Sequence, residues 1–240
     1  MTDETPPAAA TLLLLRDDPF EVLMVHRNSR GAFASVMVFP GGRIDSADAD
    51  IAWQPLVEDY SSFDDFERAR RIAAIRETWE ETSVLVGAIG GTATSKASTA
   101  LDFREFVQRS GARLRLGALT NFSHWVTPVD EPRRFDTYFY VASAPEGQVA
   151  IPDGSEIVGS EWVSPSGVAA AARRGEAPII FPTLMNLDRL AESDSPTSAI
   201  SAALARPPFT VQPIFEVDEN GGRVIVIPAE AGYAVTRFSS

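Results

Sequence analysis

The chain reads as an α+β protein, an α/β/α sandwich in which helices cover both faces of a mixed sheet. Two patterns predict this. Apolar runs of strand length lie at residues 11–15, 21–26, 135–142 and 157–163, and stretches of helical apolar spacing separate them. The 45% apolar content of the 240 residues suffices for a full core. There is no internal repeat.

Residues 1–10, rich in proline and alanine, read as a mobile tail. Residues 11–15 and 21–26 flank the turn-rich Arg16-Asp17-Asp18-Pro19 and form a hairpin. After a loop at 27–31, residues 36–39 make a short strand ending in Pro40-Gly41-Gly42, a turn whose glycines let backbone or ligand come close. Asp45–Asp50 is acidic and polar, and 46–60 reads as loop. Ser62, Asp64 and Asp65 supply a cap and an acidic first turn for a long helix. Its apolar positions, Phe63, Phe66, Ala69, Ile72, Ile75 and Trp79, recur at helical spacing. A short strand at 84–86, a flexible connector at 87–100 and a short amphipathic helix before Ser110-Gly111 follow. Residues 114–120 and 125–126 are strand-like, 165–174 is a helix opening with proline, and 182–190 is helical. Residues 193–208 read as loop, and 210–217 with 223–227 form a hairpin around Glu219-Asn220-Gly221-Gly222.

The net charge of −12, with no basic run in the C-terminal half, argues against nucleic-acid binding. The absence of cysteine excludes disulfides, zinc thiolates and thiol nucleophiles. The apolar run at 8–15 is too short to span a membrane, and the acidic start does not suit a signal peptide. The expected location is cytoplasmic.

Residues three and four apart on a helix are neighbours, so Glu77, Glu80 and Glu81 project from one face, with Arg76 four positions before Glu80. Crowded carboxylates repel one another unless a cation sits between them, and oxygen-only clusters suit Mg²⁺ or Mn²⁺. The plainer reading is a solvated acidic face, with Arg76 in a surface ion pair. The glycine turn and flanking strands favour the metal site, with Arg76 as a strut that orients Glu80.

Gly41-Gly42 followed by Arg76-Glu77-x-x-Glu80-Glu81 resembles the signature of the Nudix hydrolases, Gly-x5-Glu-x7-Arg-Glu-U-x-Glu-Glu-x-Gly-U, where U is aliphatic. The likeness spans roughly residues 11–185, leaving 186–240 as a C-terminal extension packed on the same domain. Asp48 stands at the first-Glu position. Between it and Arg76 lie 27 residues where the family has seven, an insertion of about twenty at 46–70. Thr78 and Ser83 stand where an aliphatic residue and a glycine are usual. The insertion, with Phe39-Pro40-Gly41-Gly42 before it and segments 122–128 and 133–142 after it, is similar to the subgroup that includes peroxisomal CoA diphosphatases.

The resemblance implies the same sandwich and a Mg²⁺ or Mn²⁺ cofactor held by Glu80 and Glu81. Glu77 is a further ligand or a positioning carboxylate, and a backbone carbonyl at Gly41 or Gly42 joins the shell. Asp48 and Asp45 are rival acidic positions after the turn. The general base is expected on a loop, at Glu156 or Glu131. Arg43, Arg133 and Arg134 are candidate substrate contacts. His124 and Trp125 either line the pocket or, for Trp125, pack in the core; His26 is structural. The function implied is hydrolysis of a diphosphate bond in a nucleoside diphosphate linked to another moiety, by water attack at phosphorus. CoA or acyl-CoA is the substrate the subgroup suggests; ADP-ribose, NADH and nucleoside triphosphates stay open. An acidic protein that handles such an anion would need a metal ion. The alternative is a catalytically idle module that binds a nucleotide and acts through a partner, which the complete set of Arg76, Glu77, Glu80 and Glu81 disfavours. A homodimer joined through 186–240 is a further arrangement the resemblance implies.

Overall fold

A computed structural model describes residues 5–28, 36–91, 101–206 and 209–239. The chain opens with β1 (Ala8–Arg16), β2 (Glu21–Arg27), β3 (Met37–Val38) and β4 (Gly41–Arg43). Short 3₁₀ turns at Ser46–Ala49, Ile51–Leu56 and Tyr60–Ser62 lead into α1 (Asp65–Thr82). Then come β5 (Ala88–Ile89), α2 (Phe103–Ser110), β6 (Arg113–Leu114), β7 (Thr120–Val126), β8 (Asp136–Ser143) and β9 (Ile157–Val163). The remainder holds α3 (Pro165–Arg173), α4 (Phe181–Leu190), α5 (Pro196–Ala205), β10 (Thr210–Val211), β11 (Ile214–Val217), β12 (Arg223–Val226) and β13 (Arg237–Ser239).

The main sheet runs β10-β7-β8-β1-β2-β3 and is mixed, with β1 parallel to β8 and β10 parallel to β7. The second edge of β1 is divided. Its C-terminal end pairs with β2 at Leu15↔Val22 and Arg16↔Glu21, and its N-terminal end pairs with β4 at Ala10↔Gly42 and Thr11↔Gly41. At the join, the Leu12 N–H donates to the Pro40 carbonyl (2.9 Å). β2 diverges there to pair with β9 and β3. This split carries the Pro-Gly-Gly turn into the middle of the sheet.

Side chains alternate across a strand. Ala10, Leu12 and Leu14 of β1 therefore bury with Ile72, Ile75 and Trp79 of α1 and Phe103 and Phe106 of α2. Leu13 and Leu15 bury on the other face with Met185 and Leu187 of α4 and Ala199 of α5. The two cores make the expected α/β/α sandwich. Trp79 anchors α1 by stacking on Phe106 (ring centroids 4.4 Å apart). No helix among the described residues is long and apolar enough to cross a membrane.

Several local expectations are corrected. Residues 8–10, expected in the tail, are the first three of β1, and Ala9 and Ala10 are buried. The 46–60 stretch is not open loop: its 3₁₀ turns bury Trp53, whose Nε1–H donates to the Ala47 carbonyl (2.9 Å) and whose ring packs on Phe103. The α1 cap is Asp64, which accepts the Glu67 N–H (2.7 Å), not Ser62. Residues 84–86 are buried but form no strand; the strand is β5, one turn later. Residues 92–100 of the expected connector lie outside the described residues. The strand expected at 114–120 is only β6 followed by a 3₁₀ turn, with β7 beginning at Thr120. Residues 196–205, expected as loop, form α5, with a Ser195 cap and proline in the first turn. The expected strand 210–217 is two strands: β10 joins the main sheet, whereas β11, β12 and β13 form a small second sheet.

The departures at Thr78 and Ser83 have local causes. Thr78 is fully buried, but its hydroxyl donates to the Ala74 carbonyl (2.7 Å), so it can occupy an apolar position. Ser83 ends α1 in the left-handed conformation (φ 62°), the position a glycine fills at least cost. Ser83→Gly is expected to raise stability by about 0.5–1 kcal/mol. Trp53→Ala is expected to lower it by about 3–5 kcal/mol, the loss typical of an emptied aromatic core site. Denaturant unfolding measures both, and a Trp53→Ala loss below about 1 kcal/mol would mean the insertion is not part of the core.

Candidate active site

β4 passes directly in front of the last two turns of α1, and this approach requires both glycines. A Cβ on Gly42 would stand 2.4 Å from the Glu77 carboxylate carbon, and one on Gly41 (φ 154°) would stand 2.6 Å from the Ala10 carbonyl oxygen. The Gly41 N–H donates to Glu81 Oε2 (3.0 Å), so the turn holds a carboxylate that is only 4% exposed.

Arg76 joins three segments. Its Nε and Nη2 donate to Asp48 (2.8 and 2.9 Å), its Nη1 to Glu77 Oε1 (2.8 Å) and Glu80 Oε2 (3.0 Å), and its Nη2 also to the Arg43 carbonyl (2.9 Å). Burial opposes the charge on this guanidinium, but Asp48, Glu77 and Glu80 outweigh it and hold its pKa above the ordinary arginine value. Asp48, 1% exposed, spends both oxygens on Arg76 and the Asp45 N–H, and therefore anchors the clamp. Asp45 lies 3.8 Å from Arg76 at the rim.

A second arginine, Arg27 at the end of β2, was not a candidate from sequence. Its Nη2 donates to Glu156 Oε1 (2.7 Å), to Glu81 Oε1 (3.2 Å) and, at 3.5 Å, to the Gly41 carbonyl. Glu156 reaches this point because its loop is tied to the end of α1. The Ile151 N–H donates to the Thr82 carbonyl (2.7 Å) and the Asp153 N–H to the Glu81 carbonyl (3.3 Å). The Asp153 carboxylate then accepts the N–H groups of Ser155, Glu156 and Ile157. Burial works against the charge on Asp153, but the Ser155 hydroxyl and these N–H groups prevail and hold it below the usual carboxylate range.

Burial is the largest influence on the three helix carboxylates and raises all of them. Arg76 pulls Glu77 and Glu80 partly back. Glu81 is pushed up to about 8 by burial, with Glu77 and Glu156 adding to the rise against Arg27 and the Gly41 N–H. Among the described residues, no three acidic or histidine side chains already converge as a metal shell. Guanidinium groups stand between them instead: Arg76 bridges Glu77 and Glu80, and Arg27 bridges Glu81 and Glu156. The donor set still fits a hard divalent ion, being all oxygen and carrying buried negative charge that seeks a countercharge.

The remaining candidates are distributed elsewhere. Arg43 contributes its carbonyl to Arg76, and its side chain is exposed. Arg133 is exposed, Arg134 Nε donates to the Thr127 carbonyl (3.3 Å), and neither pairs with the acidic cluster. Trp125 does not line the site: it is 2% exposed and packs on Phe181 and Tyr233, because its place on β7 points it to the face away from α1. His124 stacks on Tyr138 (4.0 Å) and bonds Asp136. His26 pairs with Glu161 (2.6 Å), and Glu131 pairs with Arg223 (2.8 Å) rather than with the cluster. A cavity of about 210 Å³ opens beside Glu80 and Arg76, walled by Asp45, by Trp53 of the insertion and by Phe103 of α2.

A glycine turn set on an acidic helix and locked by an internal arginine, within an α/β/α sandwich, defines a diphosphate hydrolase of the Nudix class. The family model described as NUDT19 Nudix domain matches residues 62–190, more than half of the chain. The chain therefore belongs to the Nudix hydrolases of the NUDT19 type. It is 28% identical to a nudix hydrolase of Caenorhabditis elegans over 89% of this chain and 70% of that protein. It is also 28% identical to the acyl-coenzyme A diphosphatase NUDT19 of Homo sapiens, over 72% of this chain and 60% of that protein. The alignment thus spans less than two thirds of the human relative. Among solved structures, a NUDIX hydrolase from Alicyclobacillus acidocaldarius superposes with a TM-score of 0.66 at 26% identity, covering 83% of this chain and 97% of that one.

The raised Glu81 pKa has a consequence for the protein freed of metal. Between the ordinary value of 4.5 and about 8, folding binds a proton that the unfolded chain releases. Stability should fall as pH rises through that window, by up to ~1.4 kcal/mol per pH unit, and stay low above it. Glu81→Gln should flatten the slope. Thermal unfolding in chelator at pH 5, 6.5 and 8 measures it, and equal slopes in both proteins would show that Glu81 ionises normally.

Proposed function

We propose that the protein is a Mg²⁺- or Mn²⁺-dependent diphosphatase acting on CoA or acyl-CoA. The observation that carries the reading is the meeting of Glu81, Glu156 and the Gly41 carbonyl around one positive group, beside the Arg76 clamp. Glu77, Glu80 and Glu81, with a carbonyl of Gly41 or Gly42, would hold the divalent ion. When bound, the ion polarises the phosphoryl group and lowers the pKa of bound water. Arg76 keeps Glu77 and Glu80 in fixed planes, so that the ligands need no reordering. Glu156, whose side chain is 63% exposed on an anchored loop, takes the proton of the attacking water as general base. The water oxygen bonds to one phosphorus, the bridging P–O bond breaks, and the bridging oxygen leaves with the other phosphate. Arg43, Arg133 and Arg134 are candidate contacts for the outer phosphates, being cations of β4 and of the segment leading into β8, which meet at the start of β1.

The preference for CoA rests on the relatives named acyl-coenzyme A diphosphatase, from Homo sapiens and from Xenopus laevis, each aligned over 60% of its length. A cytoplasmic setting belongs to the same proposal.

The test is a product-identified hydrolysis panel of CoA, acetyl-CoA, NADH, ADP-ribose and a nucleoside triphosphate with Mg²⁺ or Mn²⁺. Release of 4′-phosphopantetheine and 3′,5′-ADP from CoA is expected, abolished by chelator and by Glu81→Gln. Glu156→Gln should lower kcat by about 10²–10⁴-fold, the usual contribution of a general base. Cleavage of ADP-ribose or NADH alone would keep the chemistry and discard the substrate. Turnover indifferent to Glu81→Gln would overturn the mechanism.

A further inference from the structure

Arg27 stands apart from the other arginines around the site. A single nitrogen, Nη2, meets Glu81, Glu156 and the Gly41 carbonyl, while its Nε is buried with no hydrogen-bond partner. A buried N–H without an acceptor is unfavourable. The side chain is therefore held at one end only, by the two carboxylates and the carbonyl that share its Nη2. The two carboxylates come from distant segments, the end of α1 and the loop before β9, and Arg27 is the cation the structure puts between them. Its side chain remains 41% exposed, so a path to solvent is open. Arg76 differs in being tied to Asp48, Glu77, Glu80 and the Arg43 carbonyl together.

On the reading that the site takes a divalent ion, we propose that Arg27 is a tethered counter-cation that exchanges with that ion. Without metal, its guanidinium draws Glu81, Glu156 and the Gly41 carbonyl together and keeps the ligand set assembled. When the ion arrives, it takes the guanidinium's place between Glu81 and Glu156, and Arg27 swings outward along its exposed side. The ion must compete with an internal cation at every binding event, so metal affinity is lower than the bare carboxylates would give, and the ion-free site does not spring apart.

The experiment is a Mn²⁺ titration of metal-free wild type, Arg27→Gln and Arg27→Lys by calorimetry, beside thermal unfolding with and without chelator. Arg27→Gln should bind Mn²⁺ at least fivefold more tightly than wild type while melting lower in chelator, and Mn²⁺ should restore its melting temperature. Arg27→Lys, whose compact ammonium lacks the guanidinium fork, should lie between the two; it decides the matter if the glutamine variant does not fold. A purely structural role would lower the melting temperature without tightening Mn²⁺. Equal or weaker Mn²⁺ binding by the variants, with normal binding by wild type, would overturn the exchange and leave the hydrolase reading standing. No Mn²⁺ binding by wild type or variants would overturn both.

Discussion

The buried ion-pair network of Arg76 is the constraint on which the site depends. One guanidinium satisfies Asp48 from the insertion, Glu77 and Glu80 from α1, and the Arg43 carbonyl from β4. Removing a partner from such a network leaves a buried charge uncompensated, typically at a cost of about 3–5 kcal/mol. The network thus ties three segments, the insertion, β4 and α1, to one guanidinium. It also explains how an insertion of about twenty residues can interrupt a sequence signature without breaking the site. Asp48 is far from Arg76 along the chain, but it arrives at the same guanidinium.

Within this frame the two arginines divide the labour. Arg76 joins the outer pair, Glu77 and Glu80, through contacts that leave it no freedom, whereas Arg27 joins the inner pair, Glu81 and Glu156, with one nitrogen of a partly exposed side chain. A chain with net charge −12 has little positive field to spare, and what it has at this point comes from two guanidiniums set among the carboxylates rather than from a basic surface.

The legible parts of the sequence were those with strong local periodicity. The α1 carboxylates, the glycine turn, β2, β8, β9, α3 and α4 follow from spacing that a single stretch of chain contains. Glu156 was legible as a loop acid, and its anchoring to Thr82 and Glu81 through 151–153 adds the physical reason it reaches the cluster. Arg27 was not, because it ends an apolar strand and meets Glu81 and Glu156 only through the fold. The insertion read as loop because 3₁₀ turns have no 3.6-residue period, so nothing in the spacing marked Trp53 as buried. In α5, the Ser195-Pro196 start was a readable signal, a cap followed by proline in the first turn, hidden by alanine- and serine-rich composition. Trp125 could not be assigned to a face until the register of β7 on β8 was known.

The divided edge of β1 bears on when the site can exist. β4, which carries the glycine turn, rests on β1, and the long free edge of β1 is closed only by β8, beginning where Ala8 meets Asp136. Partners this distant in sequence form late, since the loop between them must be closed before their contacts repay it. A growing chain can make α1 early, but its carboxylates have no rigid turn to face until β8 has been synthesised, and no Glu156 until thirteen residues later still. The acidic cluster therefore cannot close before Glu156 has been made, and shorter chains carry the negative charge without the arrangement that tames it.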